Sequence, residues 1–75
     1  MSTGAIVSDM QAMVRENPHA IFNVRNIADG TGMTTEDVIS NVTEWIEKGW
    51  AEIHPDTDTE LYEFVLTQKG IDTLF

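Results

Sequence analysis

The chain has 75 residues, 41% of them hydrophobic, and thirteen Asp and Glu against four Lys and Arg give a formal net charge of −9. This length allows one small domain, residues 1–75, and the absence of cysteine excludes disulfides, thiol catalysis and thiolate metal sites. So large an acidic excess must cover most of the surface.

The first predicted element is a helix near residues 4–16. Asn17 and Pro18 end it, because the residue before a proline disfavours the helical conformation. Its inward face is predicted from five apolar residues that recur with a helical period: Ile6, Val7, Met10, Met13 and Val14.

A short extended run, Ala20 to Phe22, leads into a second predicted helix from Val24 to about Thr31. Asn23 is suited to cap this helix, because an Asn side chain accepts hydrogen bonds from the first free amides. Gly32 then ends it. The predicted inward residues are Val24, Ile27 and Ala28.

The third predicted helix begins at Thr34, whose spacing to Asp37 approximates a capping box. Lys48 and Gly49 provide a basic last turn and a C-terminal glycine. The apolar stripe of this helix consists of Val38, Ile39, Val42, Trp45 and Ile46.

The segments WAEIH and LYEFVL alternate in polarity like two half-buried strands, and the polar turn PDTDTE joins them into a predicted hairpin. Thr67 caps a short closing helix, so the fold class is predicted to be α+β and mostly helical. The stripes of the first and third helices should form one core with Ile27, Ala28, Tyr62, Phe64, Leu66, Ile71 and Leu74, and Phe75 should also point toward it.

This order of elements resembles the winged helix-turn-helix superfamily, with a three-helix core, a two-stranded wing and a short C-terminal helix. Ala28, Gly32, Met33 and Val38 stand at the helix-turn-helix spacing, since two steeply crossing helices need a small contact residue and a tight turn. WIEKGW is similar to the segment that leads into the wing, and LTQKG is similar to the LTxKG that closes it in MarR-like regulators.

The resemblance implies that the exposed side of the third helix would face the major groove and that residues 55–60 would form the wing. Both surfaces are negative, whereas DNA-binding proteins neutralise phosphates with Lys and Arg. We therefore expect an acidic module that binds a basic protein partner, such as a phage-type inhibitor that mimics the charge of DNA. The predicted partner-binding residues are Glu36, Ser40, Glu44, Glu47, Asp56, Asp58 and Glu60.

Two alternatives remain open. One is a DNA-binding transcriptional regulator that would use Arg25, Thr35, Ser40, Asn41, Thr43 and Lys48. For the acidic module itself, nucleic-acid binding is expected to be weak. The other is a scaffold piece that packs within a larger assembly. The acids of the third helix also have structural explanations, because Glu36 and Asp37 favour the helix dipole and Glu44 can pair with Lys48.

No cofactor, metal or catalytic site is predicted. DTDTE is similar to the start of a calcium loop, but Leu61 and Thr67 stand where that loop needs Gly and Glu. His19 and His54 make no zinc pattern, and His54 is expected on the polar side of the wing. Trp50 is expected to be partly covered.

The sequence also predicts no membrane span, because no stretch approaches the roughly 20 apolar residues that cross a bilayer. The N-terminal MSTGAIVSDM lacks a basic leader. A cytoplasmic protein is therefore expected, as a monomer or a small homo-oligomer.

Overall fold

The computed structural model describes residues 2–54 and 63–75. Within these ranges the chain forms four helices and a three-stranded antiparallel sheet, so the predicted α+β, mostly helical class is confirmed. The elements are α1 (Ser2–Glu16), β1 (Phe22–Asn23), α2 (Val24–Thr31), α3 (Thr35–Glu47), β2 (Ala51–Ile53), β3 (Glu63–Leu66) and α4 (Gln68–Leu74).

Helix α1 buries a narrower stripe than its sequence predicts. Ile6, Met10 and Val14 are buried and Val7 packs against them, but Met13 is 52% exposed. The expectation that Met13 packs inward is therefore wrong. The buried side chains follow one i, i+4, i+8 row, and Met13 lies beside that row, where it borders an open cleft.

Helix α2 begins and ends as its sequence predicts. The Asn23 side-chain oxygen accepts hydrogen bonds from the backbone N–H groups of Arg25 at 2.8 Å and Asn26 at 3.3 Å. At the other end Gly32 adopts a left-handed conformation with φ of 76° and donates its N–H to the carbonyl of Ala28. The predicted inward residues Val24, Ile27 and Ala28 are buried.

Helix α3 follows Gly32 after a short turn. The hydroxyl oxygen of Thr34 accepts a hydrogen bond from the N–H of Asp37 at 3.1 Å, which provides an acceptor for one of the free amides of the first turn. Gly49, just past the helix, has a positive φ of 79°. The buried residues of α3 are Val38, Val42 and Trp45, with Ile39 and Ile46 partly buried.

The sheet places β3 between the other two strands. Phe22 of β1 pairs with Phe64 of β3, and Ala51 of β2 pairs with Leu66. All four side chains are buried, so this face of the sheet covers the helices. The predicted hairpin turn, the wing acids and Tyr62 lie outside the described residues.

The core is centred on Phe64. Its ring stacks on Phe22 with centroids 5.8 Å apart and forms a T-shaped pair with Trp45, with centroids 6.3 Å apart. Aromatic pairs in such geometries add about 0.5–1.5 kcal/mol beyond the burial of their area. Phe64 of β3 and Trp45 of α3 therefore join the sheet and this helix in one core.

Helix α4 closes the domain against the junction between α3 and β2. Thr67 caps α4 by accepting from the N–H of Gly70 at 3.0 Å, and its hydroxyl donates to the carbonyl of Gly49 at 2.6 Å. The N–H of Thr67 donates to the carbonyl of Trp50 at 3.0 Å. Gly70 is buried there, and Ile71, Leu74 and Phe75 are partly buried beyond it.

Candidate functional site

The exposed face of α3 brings together the four predicted partner-binding residues that the structure describes. Glu36, Ser40, Glu44 and Glu47 are all exposed. Their spacing of four, four and three residues places them along one side of the helix, opposite the buried stripe. Asp56, Asp58 and Glu60, the other predicted members, lie outside the described residues.

This acidic face, defined as Glu36, Ser40, Glu44 and Glu47, is weakly neutralised. Lys48 Nζ lies 3.4 Å from Glu44 Oε1, with the two side chains 49% and 62% exposed. An exposed pair of this kind contributes at most about 1 kcal/mol, since water and salt screen it. Among the described residues, Glu36 and Glu47 have no ion pair, so the face keeps a net negative charge.

Lys48 also contacts Trp50. Its Nζ lies 4.8 Å from the centroid of the Trp50 ring, which is a cation–π contact. Trp50 is only partly buried, as its sequence position predicts. Lys48 therefore has two partners within the chain, and its charge is held at the end of α3.

Three of the six residues proposed for DNA contacts are less accessible than the carboxylates of the acidic face, and the other three, Arg25, Ser40 and Lys48, are exposed. Thr35, Asn41 and Thr43 are partly buried, and the Asn41 side chain donates to the carbonyl of Asp37 at 3.3 Å. Arg25 is exposed at the start of α2 and has no ion pair within the described ranges. Arg25 is thus the most available of the cations assigned to that alternative.

His54 follows β2 and is partly buried. Its side chain is 19% exposed, and its Nδ1, which has no hydrogen-bond partner among residues 2–54 and 63–75, lies 3.9 Å from Glu63 Oε1. Backbone pairing places these two residues opposite each other, because the N–H of His54 donates to the carbonyl of Glu63 at 3.1 Å. The base of the hairpin therefore holds both side chains together.

Neither a metal-binding cluster nor a membrane-spanning helix lies in the part of the chain that the structure describes. Residues 2–54 and 63–75 contain no group of three or more His, Asp or Glu side chains that could hold a metal ion. In the same ranges no helix has both the length and the apolar character needed to cross a membrane.

A second surface feature was not anticipated from the sequence. A cleft with a volume of about 210 Å³ opens between α1, β1 and α2. Ile21 on its wall is 52% exposed, although it lies in the apolar run AIF. The alternation of side chains along an extended segment could have predicted this exposure. Neighbouring residues point to opposite sides, and Phe22 is buried. The cleft is lined by Asp9, Met10, Met13, Ile21, Phe22, Asn23, Asn26 and Ile27.

Comparisons of the chain with models of protein families, with curated proteins and with solved structures find no significant match.

Proposed function

We propose that this chain is a non-enzymatic winged helix-turn-helix module that binds a basic protein partner through the acidic face of α3. The order of elements supports the fold assignment, with β1 joined to a hairpin of β2 and β3. The connection from α2 to α3 supports it too, because Gly32 provides the tight turn and Ala28 is a small buried residue on α2. The protein would act in the cytoplasm as a monomer or a small homo-oligomer.

The observation that carries the functional proposal is the charge of α3. Three exposed carboxylates, those of Glu36, Glu44 and Glu47, lie on the face that a DNA-binding relative would turn toward the groove. Lys48 compensates one of them through a solvent-exposed contact. A duplex phosphate array would be repelled by this face, whereas a nucleic-acid-binding protein presents the opposite charge.

The hairpin sequence adds to the same argument. Asp56, Asp58 and Glu60 would extend the negative surface along the wing, and residues 55–60 contain no Lys or Arg. An acidic helix and an acidic wing together would imitate the charge of DNA. A DNA-binding regulator is the second candidate, and the exposed Arg25 at the start of α2 is the observation that favours it.

The test is capture of a partner by the immobilised chain from a lysate of its own source, followed by elution with duplex DNA. We expect a basic, nucleic-acid-binding protein that DNA displaces, because the two would compete for one surface. The double variant Glu44→Gln, Glu47→Gln should capture less. A matched double variant, Glu16→Gln with Glu52→Gln, removes the same charge from α1 and β2 and should capture as much as the parent. Equal loss in both variants would contradict the proposal.

A further inference from the structure

We propose that the cleft between α1, β1 and α2 is a second docking site, for a basic segment of a protein partner. One large apolar side chain of that segment enters the cleft, and a neighbouring Lys or Arg pairs with Asp9. None of the residues that line the cleft belongs to α3, so this inference does not depend on the proposed role of the acidic face.

The floor and part of the wall of the cleft are apolar, and Asp9, Asn23 and Asn26 complete the lining. Met13 of α1 and Ile21, just before β1, each expose 52% of their surface to solvent. The floor is formed by side chains that are already buried, those of Met10, Phe22 and Ile27. An anchor side chain that enters this cleft would cover the exposed parts of both residues. A large apolar area would thereby be removed from water, which favours binding. Met13 also adapts its shape to different anchors, because its side chain is unbranched and flexible.

The size of the cleft favours a side chain over a free small molecule. Its volume of about 210 Å³ lies below the range of roughly 300–1,000 Å³ that is usual for sites that enclose a ligand. One anchor side chain of a larger partner needs less room, since the rest of the partner stays outside. A protein segment is therefore the occupant that fits.

The charge at the rim selects a basic segment. The Asp9 carboxylate lines the cleft and has no ion pair within the described part of the chain. It lies against Gly30 of α2, where a Cβ atom would overlap the carboxylate, so the glycine allows the acid to sit between the two helices. A second copy of this chain is a poor occupant, because a net charge of −9 on each copy opposes self-association.

The experiment titrates the full 15N-labelled chain with three synthetic peptides and follows amide chemical shifts. The first peptide carries one Phe flanked by two Lys, the second has Ala in place of the Phe, and the third has Glu in place of both Lys. We expect saturable shifts around Met13, Ile21 and Asn26 with the first peptide. The Ala peptide should bind about tenfold more weakly or worse, as the loss of a central anchor predicts. The Glu peptide should not bind.

Two variants distinguish the effect of the Asp9 charge on peptide affinity from the effect of the net charge of the chain. Asp9→Asn should lower the affinity for the first peptide by about two- to fivefold, which is the range expected for a partly exposed ion pair. Glu52→Gln is the matched control, since it removes an exposed acid from β2, away from the cleft, and should leave the affinity unchanged. Both changes lie on the surface, and the spectrum of each free variant reports whether the fold persists.

Three results would overturn the proposal. The first is equal binding of the Phe and Ala peptides, which would mean that no anchor enters the cleft. The second is equal weakening by Asp9→Asn and Glu52→Gln, which would mean that only net charge matters. The third is a set of shifts confined to α3.

Discussion

The carbonyl oxygen of Trp50 occupies the space that a Cβ atom on Gly70 would need. The same oxygen accepts a hydrogen bond from the N–H of Thr67. The start of α4 therefore packs directly on the backbone that links α3 to β2. This contact gives a physical reason for the threonine and the final glycine in LTQKG.

Gly70→Ala should destabilise the fold by about 1–3 kcal/mol, because the added methyl group meets backbone atoms that cannot turn away. Urea unfolding followed by circular dichroism measures the change. Gly4→Ala is the matched control, since Gly4 is an exposed position of α1 with open space around it. That control should be neutral or stabilising by up to about 1 kcal/mol. Equal stability of the two variants would show that α4 does not pack as described.

Trp45→Ala should cost about 3–5 kcal/mol, because Trp45 is 1% exposed and contacts Phe64 at the centre of the core. That loss is comparable to the whole stability of a small domain, so we expect the variant to be largely unfolded at room temperature. Thermal melting by circular dichroism tests this. Trp50→Ala, which removes a partly buried indole, should melt closer to the parent, and the reverse order would contradict the assigned register of α3.

Gly32→Ala should destabilise the chain by about 1–2 kcal/mol, because φ of 76° is unfavourable for a residue with a Cβ atom. Within the described ranges no atom lies within 4 Å of the added methyl group, so the effect isolates backbone conformation. Gly32→Asn should recover part of the loss, since Asn tolerates the left-handed region. Chemical denaturation measures the free energy of unfolding of both variants. Equal stability of the Ala and Asn variants would contradict this turn geometry.

Duplex DNA should bind weakly. At about 0.15 M salt we expect a dissociation constant of about 0.1 mM or weaker, because few cations are available to release counterions from the phosphates. A gel shift with the purified chain is the direct measurement. Nanomolar, sequence-selective binding would favour the regulator alternative and remove the reason to propose a protein partner for α3.

Association with the captured partner should depend on salt. Glu44→Gln with Glu47→Gln should slow association at low ionic strength, because complementary charges speed the encounter of two proteins. The difference from the parent should shrink as salt rises toward 1 M, where the screening length is about 3 Å. Stopped-flow mixing at several salt concentrations provides the rates. Equal association rates of parent and variant at low salt would mean that these carboxylates are only solvated surface groups and take no part in binding.

The local signals in the sequence predicted the elements well. Asn23, Thr34 and Thr67 each cap the helix that follows, and Gly32 ends α2, because these short-range hydrogen bonds and backbone preferences depend on neighbouring residues alone. The buried stripe of α3 was likewise predicted by its period. The winged-helix assignment, which depends on the arrangement of the whole chain, stays a prediction.

Surface features that depend on packing between distant segments were not predicted. Met13 fits the period of the α1 stripe, but periodicity does not tell which side of a stripe lacks a neighbour. Ile21 belongs to an apolar run, yet the pairing of Phe22 with Phe64 turns Ile21 outward. The wrong position of Met13 and the unanticipated exposure of Ile21 have the same cause, since only the assembled α1, β1 and α2 define the cleft. The acidic face could be predicted because it lies on a single helix.

The hydrogen bond from Thr67 to Gly49 joins residues 18 positions apart and closes the chain on itself at the base of the hairpin. For a closed loop of flexible chain, each doubling of length adds only about 0.6 kcal/mol of entropic cost. We therefore expect that inserting a few residues between β2 and β3 changes the free energy of unfolding by less than about 1 kcal/mol. Changes in the sequence between β2 and β3 could therefore alter what the domain binds, while the helices and the core around Phe64 are kept.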